Sequence, residues 1–178
     1  MSGVGGDACC YHRRRTNGAG KTSFVNEALR SFKPAFTYIN ADEIEKRLPL
    51  AETKLQRELA AGRLMIEAMD NAISKDADLI VETTLATRHY ARRIVAWREL
   101  GYSIGLIYLQ LPSVEHSIAR VRRRVAAGGH DIPEQIIRRR FEASRLYLDT
   151  IYKPIVDEWY MWESREGRFV PMAAWDDK

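Results

Sequence analysis

The stretch NGAGKTS, residues 17–23, decides the fold prediction for this chain. Its Gly-Ala-Gly turn lets successive backbone N–H groups curl around an anion. A helical pattern then begins at Lys21, so the helix dipole faces the same anion. With Gly20, Lys21 and Thr22 the stretch closes the phosphate-loop pattern G-x-x-x-x-G-K-[ST]. The sequence therefore predicts a loop that binds nucleotide phosphates, and the alternative is a glycine turn that caps a helix without a ligand.

The segment before this loop, CCYHRRRT (residues 9–16), departs from the same pattern. Arg15 stands where the opening glycine belongs, and no apolar run precedes it, although such loops follow a buried strand. The first strand of such a fold is covered on both faces, so Tyr-His-Arg-Arg-Arg would be costly to bury there. We therefore expect residues 1–16 to be poorly ordered or badly packed, with the first strand missing or corrupted.

Composition indicates one globular α/β domain rather than a disordered chain. The 178 residues are 46% hydrophobic and 29% charged, which is enough for a real core. A net charge of +4 suits an anionic ligand and does not demand a nucleic acid. Cys9 and Cys10 are adjacent and suit neither a disulfide nor a zinc site, so a reducing, cytoplasmic location is expected. No run is long enough to span a membrane.

Helical and strand patterns alternate after the loop. Helices are predicted at 21–32, 41–48, 52–75, 88–101, 114–125 and 134–148. Strands are predicted at 35–40, 78–84, 102–111 and 158–163. Strands separated by helices of this length predict a three-layer α/β sandwich with a parallel sheet.

Two acids follow predicted strands. Asp42 lies just past the strand predicted at 35–40, where ligands of open α/β sheets bind. It is therefore placed to act as the base on an acceptor hydroxyl. The alternative role of Asp42 is a helix N-cap. Glu82 ends the third strand and could lie near the acceptor or beside a metal, or it could be a plain strand-end carboxylate.

Arginines cluster in residues 120–141, where two helical stretches flank a Gly-Gly-His loop. A helix–loop–helix that carries arginines over a phosphate loop is what a closing lid requires. Arg120 and Arg124 are four residues apart and share a helical face, whereas Arg122 and Arg123 point elsewhere. The alternatives are a solvated basic face and a pair of helices that binds nucleic acid.

Together these motifs carry a resemblance. N-G-A-G-K-T, I-N-A-D, A-G-R-L, E-T-T-L-A and R-V-x-x-R-V-x-x-G-G-H-x-I-P occur in the order seen in short bacterial members of the zeta-toxin family. The resemblance runs from about Asn17 to Trp159. Zeta toxins are P-loop kinases of toxin–antitoxin systems, and the better-known ones phosphorylate the amino sugar of UDP-N-acetylglucosamine. The resemblance therefore implies a P-loop kinase fold with a helical lid, and an enzyme that uses ATP and Mg²⁺.

The resemblance also assigns roles to individual residues. Those that bind the nucleotide are Asn17, Gly18, Ala19, Gly20, Lys21, Thr22 and Ser23, with the Thr22 hydroxyl on the metal side. Those assigned to catalysis are Asp42, Arg120, Arg124 and Arg140, and those assigned to the acceptor are Glu82, Thr83 and His130. An antitoxin protein is implied as a partner.

This chain departs from the family pattern at both ends. The tail EWYMWESREG lacks the aromatic-Asp-Asn-Ser turn of the family, which puts the adenine end of the site in doubt. At the other end, the codons of residues 9–16 read one base later allow Val-Val-Ile-Ile-Ala-Gly-Gly-Pro, the expected strand and loop start. We therefore treat residues 1–16 as an atypical, disordered or frame-shifted segment and residues 17–178 as one kinase-like domain. The alternative is a divergent N-terminus that still pairs as a strand.

The sequence thus predicts an ATP-dependent phosphotransferase that acts on a hydroxyl of a small molecule, impaired by its N-terminus. The alternative is a non-catalytic module that binds anions or nucleic acid through its arginine helices. The moderate net charge of +4, and the acids on nearby helices, favour the enzyme.

Overall fold

Six strands form a single sheet. The computed structural model describes residues 7–14, 37–49, 53–128, 131–165 and 168–175. The strands are β1 (Asp7–Arg14), β2 (Thr37–Asn40), β3 (Leu79–Thr83), β4 (Tyr102–Gln110), β5 (Glu158–Arg165) and β6 (Arg168–Ala174). Across the sheet they follow the order β2-β3-β1-β4-β5-β6.

Four strands of the sheet run in one direction and two run against them. β2 is parallel to β3, and β4 is parallel to β5. β1 is antiparallel to both β3 and β4, so β3 and β4 run in the same direction, and β6 is antiparallel to β5. The prediction of a parallel sheet is therefore right for β2 to β5 and wrong for β1 and β6. The α/β class stands, and this mixed sheet fits a P-loop kinase-like fold.

β1 is the central strand whose absence the sequence predicted. Its register places Cys10 opposite Val81 of β3 and opposite Leu106 of β4. The prediction that the first strand is missing is therefore corrected. The physical reason is that β3 and β4 present rows of N–H and C=O groups, which a main chain can pair whatever side chains it carries. The expected poor order of residues 1–16 is not tested, because residues 1–6 and 15–16 lie outside the described ranges.

The helices follow the predicted periodicity closely. They are α1 (Ala41–Lys46), α2 (Lys54–Ser74), α3 (His89–Glu99), α4 (Val114–Ala126), α5 (Glu134–Tyr147) and α6 (Lys153–Ile155). A π-helical turn, Leu148–Tyr152, joins α5 to α6. At the start of α2, Thr53 and Gln56 form a reciprocal capping box, which satisfies backbone N–H groups that a helix N-terminus leaves unpaired. The predicted helix at 21–32 lies outside the described residues.

The main core packs helices against one face of the sheet. It joins strand residues such as Val81, Ile104 and Leu106 to Met69 of α2 and Ile94 of α3. The opposite face carries a smaller cluster around Ile80 and Ile107. Because neighbouring residues of a strand point to opposite faces, this alternation also fixes the face on which each strand-end side chain lies.

The C-terminal part of the sheet was predicted only in part. The strand expected at 158–163 is confirmed as β5, but β6 was missed. Pro171 within β6 argues against a strand in sequence terms, and it is tolerated here because β6 is the edge of the sheet.

Candidate functional site

The carboxyl ends of β2 and β3 lie side by side at one edge of the sheet. Asn40 ends β2 and is paired in register with Glu82 of β3. Tyr38 is two residues before Asn40, so Tyr38, Asn40 and Glu82 share one face, opposite the face that carries Ile39 and Val81 in the main core. Ligands of open α/β sheets bind at this edge.

A hydrogen-bonded triangle holds these three side chains together. Asn40 Nδ2 donates to Glu82 Oε2 at 2.9 Å and to the Tyr38 hydroxyl at 3.0 Å. The Tyr38 hydroxyl in turn donates to Glu82 Oε2. Both bonds to the carboxylate reach Oε2, so Glu82 Oε1 has no hydrogen-bond partner among the residues that the structure describes. A half-buried carboxylate fixed through one oxygen can thus present the other to a ligand.

Asp42 lies in the first turn of α1, and Asn40 is the residue that caps this helix. Asn40 Oδ1 accepts hydrogen bonds from Asp42 N at 2.8 Å and from Glu43 N at 3.4 Å. The alternative that Asp42 itself is the N-cap is therefore wrong. Asn40 and Tyr38 lie at this candidate site and were not predicted from the sequence, although Asn directly before Ala-Asp-Glu is a strong N-cap signal.

The loop after β3 has a constrained backbone. Thr83 Oγ1 accepts a hydrogen bond from Leu85 N at 3.2 Å, which closes a tight turn. Leu85 is fully buried and has a φ of 52°, in the left-handed region that a leucine rarely adopts. Side-chain burial of Leu85 holds this conformation in place, next to Glu82. Of the residues predicted to bind the acceptor, Glu82 and Thr83 thus adjoin Asp42 at one edge, while His130 lies outside the described residues.

The arginine-rich helices α4 and α5 pack on each other as a pair. Ile118 and Val121 of α4 meet Ile137 of α5 in a separate apolar cluster. Ion pairs also form on the exposed surface of the two helices. Arg138 of α5 lies 3.2 Å from Glu115 of α4 and 2.8 Å from Glu134 of α5.

Glu134 also forms an ion pair with an arginine of α4. Arg122 lies 3.3 Å from Glu134. The pKa of Glu115 is lowered by a hydrogen bond from its own backbone N–H, then by Ser113 and by Arg138. The pKa of Arg138 is raised by its hydrogen bonds to Glu134 and Glu115. These pairs neutralise part of the basic surface that a nucleic acid would need.

The arginines of this pair divide into two groups by exposure. Arg122 and Arg123 of α4 are exposed, which confirms that they point to solvent. Arg120, Arg124 and Arg140, the three assigned to catalysis, are half-buried. Their contact with a phosphate, and the movement of the helix pair as a lid, stay predictions.

The phosphate loop itself, residues 17–23, lies outside the described residues, so the assignment of its side chains to a nucleotide is not tested. The direction of β1 bears on it, however. β1 ends at Arg14, opposite Tyr102 at the start of β4, and it begins near the edge where Asn40 and Glu82 lie. The chain therefore leaves β1 at the edge opposite to Asp42, whereas a phosphate loop in a nucleotide-binding α/β fold follows a strand at the carboxyl edge.

Comparison with known proteins decides the family. The family model described as zeta toxin matches residues 16–168. The chain belongs to the zeta toxin family. An uncharacterized protein of Haemophilus influenzae (strain ATCC 51907 / DSM 11121 / KW20 / Rd) is 31% identical over 128 residues, which is 71% of this chain and 87% of the relative. No solved structure gives a significant match.

Membership of the zeta toxin family supports a kinase-like, ATP-dependent activity and nucleotide binding. None of the described helices has the length and apolar character needed to cross a bilayer. Within the described ranges, no three His, Cys, Asp or Glu side chains gather as they would around a metal ion. The residue assigned to the metal side, Thr22, lies outside those ranges, and its hydroxyl is an oxygen donor, the type of ligand that the hard cation Mg²⁺ takes.

Proposed function

We propose that this zeta toxin relative is an ATP-dependent phosphotransferase that moves the γ-phosphate of ATP to a hydroxyl of a small molecule. The observation that carries the proposal is the pair of acids at the carboxyl edge of the sheet, Asp42 and Glu82, in a chain of a kinase-like family. Asn40 joins the Asp42 backbone N–H to the Glu82 carboxylate, and neither acid forms an ion pair among the described residues.

Asp42 is the base of the proposed reaction. Its carboxylate accepts the proton of the acceptor hydroxyl, the hydroxyl oxygen forms a bond to the γ-phosphorus, and the bond from that phosphorus to the β,γ-bridging oxygen breaks to release ADP. Glu82 Oε1 orients the acceptor by accepting a hydrogen bond from a second hydroxyl. UDP-N-acetylglucosamine, which the family resemblance names, is the first acceptor to test.

Positive charge on the proposed enzyme comes from two places. Lys21 would bind the β- and γ-phosphates, and the Thr22 hydroxyl would hold Mg²⁺, which neutralises phosphate charge when bound. Arg120, Arg124 and Arg140 of the helix pair α4–α5 would stabilise the negative charge on the phosphoryl group while it is transferred. Half-burial of these three arginines supports their assignment over that of the exposed arginines.

Phosphotransfer from radiolabelled ATP to UDP-N-acetylglucosamine and to a panel of other small hydroxyl compounds tests this proposal. Asp42→Asn should lower transfer by at least about a hundredfold, since a general base typically contributes a factor of 10² to 10⁴. Glu43→Gln is the matched control, because Glu43 is the next acid in the same helical turn, is exposed and pairs with Lys46. Equal activity of wild type and Asp42→Asn would contradict the role of Asp42.

The N-terminal segment is proposed to impair this chain. A variant whose residues 9–16 are replaced by Val-Val-Ile-Ile-Ala-Gly-Gly-Pro should bind ATP more tightly than the chain itself, and the gain should disappear with Lys21→Ala. Equal ATP affinity of the two chains would remove the case for impairment. Reading the coding DNA in the shifted frame provides an independent check.

The competing function is non-catalytic binding of anions or nucleic acid through α4 and α5. Binding of RNA or DNA that weakens steeply with salt and is indifferent to Lys21→Ala would favour it. Ion pairing of Arg122 and Arg138 with Glu134 and Glu115 supports the enzyme instead.

An antitoxin protein is the proposed partner, and suppression of the phosphotransfer by a co-purified protein would test it.

A further inference from the structure

Asn40 lies between the two acids, and both the oxygen and the nitrogen of its side-chain amide form hydrogen bonds. It is only 8% exposed, so its amide has little access to water. The oxygen accepts from the backbone of the helix that carries Asp42, while the nitrogen donates to the Glu82 carboxylate. One buried side chain thereby connects the main chain at Asp42 to the carboxylate of Glu82, which lies 42 residues from Asn40 in sequence.

We propose that Asn40 is a positioning residue, which sets the separation and orientation of the Asp42 backbone and the Glu82 carboxylate. An amide suits this task because it offers an acceptor and two donors in one plane. Asp would cap α1 equally well but has no donor for Glu82, and Ser has a single oxygen that cannot take the place of both amide atoms. The inference rests on the proposed function, since the two acids matter as a pair only if they act on one acceptor.

Tyr38 completes the arrangement from the same strand. Its hydroxyl accepts from Asn40 Nδ2 and donates to Glu82 Oε2, so the carboxylate is held by two donors on one oxygen. Tyr38 has no part in the cap of α1, which is formed by Asn40 alone. Substituting Tyr38 therefore weakens the hydrogen bonding to Glu82 without disturbing the cap of α1, whereas substituting Asn40 affects both.

Steady-state kinetics of Asn40→Ser and Tyr38→Phe test the inference. Asn40→Ser keeps a capping hydroxyl but has no second polar atom to replace Nδ2 at Glu82, so kcat should fall at least tenfold with little change in KM for ATP. Asn40→Asp should lose more, because it places a second carboxylate about 3 Å from Glu82, where like charges repel. Tyr38→Phe should show a smaller loss of kcat in the same direction.

Thr53→Ala is the matched structural control. It removes the N-cap of the neighbouring helix α2 and lowers stability without touching the acids. If Thr53→Ala lowers kcat as much as Asn40→Ser at a comparable loss of melting temperature, Asn40 is merely structural and the inference is overturned. Wild-type kcat in Asn40→Ser would overturn it as well.

A measurement independent of activity separates this inference from the proposed function. The side-chain amide resonance of Asn40 should shift in Glu82→Gln and in Tyr38→Phe, and should stay in place in Glu43→Gln. A chain without phosphotransfer that shows these shifts would refute the kinase and retain the connection between the two acids. An Asn40 resonance indifferent to Glu82→Gln would refute the connection, whatever the activity.

Discussion

A buried hydrogen bond joins the sheet to the second arginine helix, and removing it gives the sharpest stability prediction. The Tyr108 hydroxyl of β4 and Ser144 Oγ of α5 lie 2.8 Å apart. Tyr108 is 1% exposed and Ser144 is fully buried, so water cannot replace either partner. Tyr108→Phe keeps the ring in the main core and removes only the hydroxyl.

The expected cost follows from what is left behind. Tyr108→Phe leaves Ser144 Oγ buried without this partner, which costs about 1–3 kcal/mol. For a chain of this length each kcal/mol lowers the melting temperature by about 2–4 °C. A central value of about 2 kcal/mol therefore predicts a melting temperature about 4–8 °C lower, measured by circular dichroism.

A double-mutant cycle shows whether the hydrogen bond is the cause. Tyr108→Phe with Ser144→Ala removes both partners and should cost about 1 kcal/mol less than the sum of the single changes. Ser117→Ala is the matched control, because Ser117 is 1% exposed on α4 and its hydroxyl has no hydrogen-bond partner among the described residues. Ser117→Ala should be neutral or stabilising. Additive costs around the cycle, or an equal loss in Ser117→Ala, would refute the reasoning.

Three further predictions concern helix ends and ion pairs. Thr53→Ala breaks the capping box of α2 and should lower the free energy of unfolding by about 1 kcal/mol in urea denaturation, whereas Thr53→Ser should not. Glu134→Gln weakens the contacts with Arg122 and Arg138, yet these pairs are exposed, so the melting temperature should change by no more than about 2–4 °C and by less at high salt. Because the pKa of Glu115 is lowered in the fold, its contribution is present above the ordinary carboxyl pKa and is lost as pH falls through the folded value. Acid unfolding of Glu115→Gln should therefore show a shallower dependence on pH than that of the wild type.

The order of helices and strands was readable because it depends on local patterns. Amphipathic periodicity located α2, and an apolar run ending in an acid located β3. The position of the acids was also predictable, since any residue just after a parallel strand lies at the carboxyl edge of the sheet. Asp42 and Glu82 were placed there from position alone.

The sequence could not reveal which side chain connects those acids. Capping by Asn40 has a local signal, but its bond to Glu82 depends on the register of β2 against β3, which is a long-range pairing. The division of the arginines into half-buried and exposed groups likewise depends on the packing of α4 against α5. Periodicity gave their helical faces but not their partners.

By itself the sequence determined the α/β class, the family motifs from Asn17 onward and the position of the acids, because each is encoded within a short segment. Only the tertiary structure decided that residues 7–14 form a strand at all, and that this strand runs antiparallel to β3 and β4. The physical reason is that strand pairing uses main-chain N–H and C=O groups, which every residue type in CCYHRR supplies. Side-chain composition predicted an unfavourable central strand, and main-chain hydrogen bonding nevertheless filled that place.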